Sequence, residues 1–214
     1  MLIIFFLVIQ EVLYDWTGTI YAEGTGFHLD FVFGPLDNLI PFVPEMAVFY
    51  IYLFFPMIVL TMLYFAFFDY DKGYALGWSS VLIGAISIVI YTFFPVSTYW
   101  WRQELLANKI SGNFWATTMY GYYQYDTSFN CFPSLHAAMS TLIAFTWYQY
   151  YKLKPNLKRK IISILSLIIA IGVILSTLFV KQHYIIDEIA GFLLAYGVGK
   201  LIFRYLWKEF NVQK

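Results

Sequence analysis

Three side chains carry most of the reactive potential of this sequence: His136, His183 and Asp187. Asp187 follows His183 by four residues. On a helix that spacing sets both on one face, with Cβ atoms about 5–6 Å apart. A carboxylate so placed can hold an imidazole in one tautomer, and it stabilises the imidazolium that forms when the other ring nitrogen reacts. His136 closes the string Phe132-Pro133-Ser134-Leu135-His136, where Pro133 suits the first position of a helix. The free backbone N–H groups at that helix start, around Ser134, Leu135 and His136, make a cradle for an anion such as phosphate.

The elements that position these residues belong in lipid. The 214 residues are 61% hydrophobic and 12% charged, against roughly 45–50% and about 25% in an ordinary soluble domain. The net charge is zero, so no bulk field argues for nucleic acid or an acidic partner. The single cysteine, Cys131, has no intramolecular disulfide partner. A bilayer core of about 30 Å takes ~20 apolar residues as a helix. Five runs of that kind span residues 46–68, 75–96, 133–151, 161–180 and 185–207. A sixth covers residues 1–14 and reaches a full span only by extending through Glu11 toward Trp16. It opens without a basic region or a small-residue cleavage site, and so reads as a retained helix rather than a signal peptide. No repeat or long linker divides the chain. The expectation is an all-α, polytopic membrane protein: one domain over residues 1–214 with six transmembrane helices.

Loop charge sets the expected orientation, because short cytoplasmic loops are enriched in Lys and Arg. One side carries only Arg102, Lys109 and Lys181. The other carries Lys72, Lys152, Lys154, Lys158, Arg159, Lys160, Lys200, Arg204, Lys208 and Lys214. Both termini are therefore predicted to be cytoplasmic. His136 then starts the fourth span at the outer face, and His183 lies just beyond the outer end of the fifth. Forty-seven residues of separation become possible adjacency in space. The two long outer loops, residues 16–45 and 97–132, are rich in aromatics; Trp100, Trp101, Tyr120, Tyr122, Tyr123 and Tyr125 suit a belt at the headgroups. Pro35, Pro41 and Pro44 argue against a regular helix before Met46.

Pro133-Ser134-Leu135-His136, followed by Ser176-Thr177, five residues, His183, three residues and Asp187, resembles the second and third signatures of the type 2 phosphatidic acid phosphatase (PAP2) superfamily. The resemblance implies a PAP2-like helical bundle with structured extracytoplasmic loops, and a metal-independent reaction without cofactors. It implies a phosphohistidine formed on His183, oriented by Asp187, with His136 as proton donor to the departing oxygen and Ser134 among the phosphate-binding groups. The first signature has no literal match, and Arg102 is taken as the substitute for its phosphate-binding arginine. Thr177 stands where the third signature has Arg, and Lys181 is the candidate to supply the missing charge. Asn130-Cys131-Phe132 and Lys181-Gln182-His183-Tyr184 are similar to the branch that includes inositol phosphorylceramide synthases. The implied substrate is a lipid phosphate or diphosphate in the cell membrane, hydrolysed at the outer face. Transfer of a phospho-headgroup to an acceptor alcohol stays open beside hydrolysis.

Other readings compete. Paired intramembrane histidines also ligate haem in b-type cytochromes, although here one has a carboxylate four residues on. A transporter would need an inverted repeat or broken helices, and neither is visible. Arg102 reads equally as an interfacial anchor. Ser176 and Thr177 are expected to bond back to their own helix. His28 reads as surface, and Asp126 and Asn130 as turn or capping residues.

Overall fold

A computed structural model describes residues 2–207 of the chain. Met1, Lys208 and Lys214, used above for the first span and the loop charges, lie outside the described residues. The described residues form nine α-helices and no strand. They are α1 (Leu2–Thr19), α2 (Asp30–Leu39), α3 (Phe54–Phe68), α4 (Tyr70–Phe93), α5 (Tyr99–Ala107), α6 (Phe114–Tyr125), α7 (Leu135–Leu153), α8 (Leu157–Phe179) and α9 (Ile185–Leu206). A 3-10 turn, Pro44–Met46, and a π-helical segment, Val48–Leu53, lead into α3.

Three stretches are long and apolar enough to cross a membrane by length and composition: Pro44–Phe68, Tyr70–Phe93 and Leu157–Phe179. They suggest a membrane protein. Their outward faces agree, since Leu60, Leu63 and Phe67 on α3 and Leu165, Ile168 and Ile171 on α8 stand exposed. A continuous apolar exterior of this kind suits lipid rather than water. The helices α1, α7 and α9 are not in that apolar set. Glu11 and Asp15 interrupt α1, and Asp187, Glu188, Lys200 and Arg204 interrupt α9.

Helix α7 is the interior element. Ala138, Leu142 and Ile143 are completely buried, packed with Phe65 of α3, Leu76 and Ile83 of α4, and Ala195 and Phe203 of α9. Small residues on the facing helices allow this close approach. At Gly191 an added Cβ would lie 2.3 Å from the Ser134 carbonyl oxygen and 3.0 Å from Ala137 Cβ.

The segments between the apolar helices depart from expectation. A helix does form before Met46: α2 covers Asp30–Leu39, with Phe33 outside helical angles and Pro35 just beyond that break. A proline next to a break loses no helical hydrogen bond, so its presence does not prevent the helix. The basic stretch 152–160 is not a loop throughout. Asn156 caps α8 by accepting from the Arg159 N–H at 2.9 Å, which places Lys158, Arg159 and Lys160 in the first helical turn. Tyr120 and Tyr123 are buried rather than at a headgroup belt, while Tyr125 is 91% exposed. The segment after α1 is tied to the one after α4, Phe27 N–H donating to Pro95 at 2.7 Å and Ser97 N–H to Phe27 at 3.0 Å.

Candidate active site

Two helix starts meet to build the site. Pro133 precedes α7 rather than beginning it, and Ser134 is the N-cap, its Oγ accepting from Ala137 N–H at 3.2 Å. The Ser134 N–H in turn donates to the Asp187 carbonyl at 3.0 Å, joining the first turn of α7 to that of α9. Tyr91 of α4 donates its hydroxyl to the Pro133 carbonyl at 2.7 Å. On α9, the Asp187 carboxylate closes a capping box by accepting from Tyr184 N–H at 2.8 Å, and Asp37 of α2 accepts from Ile185 N–H at 2.9 Å. Both carboxylates stabilise a helix N-terminus, where partial positive charge collects.

The frame brings His136 and His183 together. His136 Nδ1 lies 3.3 Å from His183 Nε2. His183 is 5% exposed, and its Nδ1 lies 3.0 Å from the Cys131 carbonyl oxygen and 3.5 Å from Asp187 Oδ2. A carbonyl only accepts, so His183 carries its proton on Nδ1 and presents the Nε2 lone pair to His136. Burial is the main cause that pulls the His183 pKa down from 6.5 to about 3, with the nearby Arg102 charge acting in the same direction and the Cys131 carbonyl opposing both. The ring is therefore neutral, as a nitrogen nucleophile must be. His136 is half-buried, with its ring centroid 4.7 Å from that of Tyr50 and 4.6 Å from that of Phe54.

The remaining sequence-derived candidates are placed differently. Arg102 is buried and engaged: Nη1 donates to the Asp126 carbonyl at 2.7 Å, and Nη2 pairs with the Asp126 carboxylate at 3.2 Å and bonds Gln182 Oε1. Through Gln182 it stands one residue from His183. Burial works against its charge, and Asp126 together with Cys131, Tyr50 and Tyr123 outweighs that, holding the guanidinium above its ordinary pKa. Asp126 is raised by burial and partly brought back by Arg102. Lys181 points to α2 instead, donating to the Asp37 carbonyl at 2.9 Å, with its ammonium 4.7 Å from the Trp101 ring centre. Ser176 and Thr177 bond back to Val173 and Ile174 as expected. Thr177 also donates to Glu188 at 2.9 Å, and Ser134 hydrogen-bonds the same carboxylate. His28 is not a surface residue: it is half-buried, 4.4 Å from Trp100 and 5.6 Å from Tyr184 by ring centroids.

Sequence reasoning left out Gln182, Glu188, Tyr50 and the Cys131 carbonyl, and gave Asp126 a turn role alone. Glu188 had a usable signal, a second carboxylate beside Asp187 on a helix otherwise apolar at that end. A backbone carbonyl has none.

A mainly apolar groove of about 390 Å3 reaches His136 between α1, α3, α4 and α7, lined by Phe54, Phe55, Ile58, Met62 and Met139 and also by Glu11, Asp15 and Asp126. A second cavity of about 300 Å3, lined by Arg102, Tyr123, Gln124, Asp126 and Ser128, is more polar. Asp126 borders both.

Residues 106–211 match the family model of the PAP2 superfamily, whose members are generally phosphatase-type enzymes. The matched stretch contains His136, His183 and Asp187, and Arg102 lies before it. No curated protein and no solved structure matches the chain.

Proposed function

We propose that this chain is a PAP2-type membrane enzyme that hydrolyses phosphomonoester or diphosphate groups of lipids at the outer membrane face, through a phosphohistidine on His183. The observation that carries this reading is the His136–His183 pair: one nitrogen of His183 is fixed by a carbonyl while the other faces a second imidazole at 3.3 Å. In the first step His183 Nε2 bonds to phosphorus as the bond to the lipid oxygen breaks, and His136 gives that oxygen a proton. In the second, His136 takes a proton from water, whose oxygen displaces the imidazole and releases inorganic phosphate. Asp187, 3.5 Å from Nδ1, stabilises the positive charge on the phosphorylated ring. The first-turn N–H groups of α7 bind phosphoryl oxygens, and Arg102 joins them by exchanging Asp126 for phosphate. Ser134 contributes by capping that turn, and Lys181 by anchoring α2 over it. The two rings now touch directly, so His136, the less buried, swings away to admit the phosphoryl group.

The membrane arrangement is part of the proposal: six spans formed by α1, Pro44–Phe68, α4, α7, α8 and α9, both termini cytoplasmic, in the cell membrane. The apolar groove admits a lipid sideways, its tail still in the bilayer. A second reading, transfer of a phospho-headgroup to an acceptor alcohol in the manner of inositol phosphorylceramide synthases, is favoured by the polar cavity that meets the groove at Asp126. There a hydrophilic acceptor would replace water in the second step.

Purified protein with a panel of lipid phosphates and diphosphates, chelator present, tests both. Inorganic phosphate is expected as the product. His183→Ala is expected to abolish turnover, and His136→Ala to lower it about 10²- to 10⁴-fold. Phosphate appearing in a second lipid or alcohol instead selects transfer, and a full rate in His183→Ala rejects both readings.

A further inference from the structure

Cys131, His183 and Asp187 are all buried, and one ligand atom from each lies within 4.8 Å of the others. They come from three segments: the turn before α7, the turn after α8 and the first turn of α9. A thiolate, an imidazole nitrogen and a carboxylate oxygen form a donor set for zinc or a similar thiophilic cation; magnesium and calcium take oxygen ligands. A separate observation concerns the same carboxylate. Asp187 is completely buried, and its Oδ1 has no hydrogen-bond partner while Oδ2 caps α9. A buried carboxylate oxygen without a partner is costly, and a cation would relieve that cost. Ligand atoms around tetrahedral zinc stand about 3.3–3.6 Å apart given the usual bond lengths, so the trio needs to contract by roughly 1 Å.

We propose that Cys131, His183 and Asp187 form an inhibitory site for zinc or a similar thiophilic divalent cation. Binding itself is independent of the function proposed above, whereas inhibition rests on His183 being the nucleophile of that reaction. The cation takes His183 Nδ1, the Cys131 thiolate and Asp187 Oδ1, with water as a fourth ligand. The thiol proton leaves to solvent. The imidazole stays neutral, its proton moving from Nδ1 to Nε2, and the Cys131 carbonyl loses its donor. With Nε2 protonated, no lone pair is left to attack phosphorus, so metal and phosphoryl group compete for one ring.

The chain has one cysteine, so a thiolate-to-cobalt charge-transfer band can only report Cys131. Cobalt(II) added to the purified, chelator-treated full chain is expected to give that near-ultraviolet band, saturating at one equivalent and bleached by zinc. In the same preparation zinc is expected to inhibit lipid phosphate hydrolysis. Cys131→Ser, compared with its own metal-free rate, should need at least about tenfold more zinc. If that variant does not fold, the wild-type band decides alone. No band at saturating cobalt, or equal zinc sensitivity in wild type and Cys131→Ser, overturns the proposal. A band in protein with no hydrolytic or transfer activity supports the cation site and removes the catalytic reading. Activity without the band removes the cation site and leaves catalysis standing.

Discussion

Around His183 two acceptors compete for one proton, and distance assigns different work to each. The Cys131 carbonyl at 3.0 Å is the hydrogen-bond partner that fixes the ring in its resting state, while Asp187 at 3.5 Å is already committed to capping α9. A carboxylate exerts its full pull only on a charged ring, about 5 kcal/mol at this distance with an effective dielectric near 20. It therefore matters most once the imidazolium forms. The four-residue spacing made the Asp187 partnership legible in the sequence. The carbonyl was not legible, because every residue carries one and only the path of the turn aims it. The depressed pKa has a thermodynamic consequence. Unfolded, His183 takes up a proton below its ordinary 6.5; folded, it refuses one until about 3. Its contribution to stability is therefore lost as pH falls from 6.5 toward 3, by up to ~1.4 kcal/mol per pH unit. Thermal unfolding in detergent at pH 7 and pH 5 is expected to show a larger drop for wild type than for His183→Phe. Equal drops would mean that His183 is charged when folded.

At the scale of elements, the site is a junction of two helix N-termini, and close packing maintains it. Gly191 has the Ser134 carbonyl where a Cβ would be, at 2.3 Å, and backbone cannot yield as a side-chain tip does. Gly191→Ala is expected to destabilise the fold by about 1–3 kcal/mol and to lower turnover by moving α7 against α9. Gly197→Ala, on the same helix with nothing within 4 Å of the added carbon, should be neutral or mildly stabilising. Melting temperatures of the two variants check this, and equal values would dissolve the argument from packing. Helices α4, α7, α8 and α9 were legible from apolar run length, with boundaries displaced by up to five residues, whereas α3 begins eight residues into its run, after the 3-10 turn and the π-helical segment. The α2, α5 and α6 helices were not. Each is short and held by long-range contacts such as Asp37 with Ile185 and Tyr123 with the Val180 carbonyl, so tertiary packing rather than local propensity decides it.

At the scale of the molecule, apolar faces on α3 and α8 point outward while the candidate site lies inside, where the starts of α7 and α9 meet. On the proposed six-span arrangement, half-polar helices such as α9 are tolerated where their polar side chains pair within the bundle, as Glu188 does with Thr177 of α8. This is why run length in the sequence counts six spans where composition singles out three. The loop charges give the proposed sidedness a direct check. In a Cys131→Ser background, Tyr125→Cys on the reacting side and Asn156→Cys between α7 and α8 are both exposed positions. An impermeant maleimide applied to intact cells is expected to label the first and to label the second only after permeabilisation. The reverse pattern would put the active site in the cytoplasm.

The covalent histidine is the centre of the account, and it can be trapped. Enzyme mixed with a lipid carrying radiolabelled phosphate, quenched in alkali and digested, is expected to yield one labelled peptide, with the phosphate on His183. Label on another residue, or no label while phosphate is being released, would contradict it.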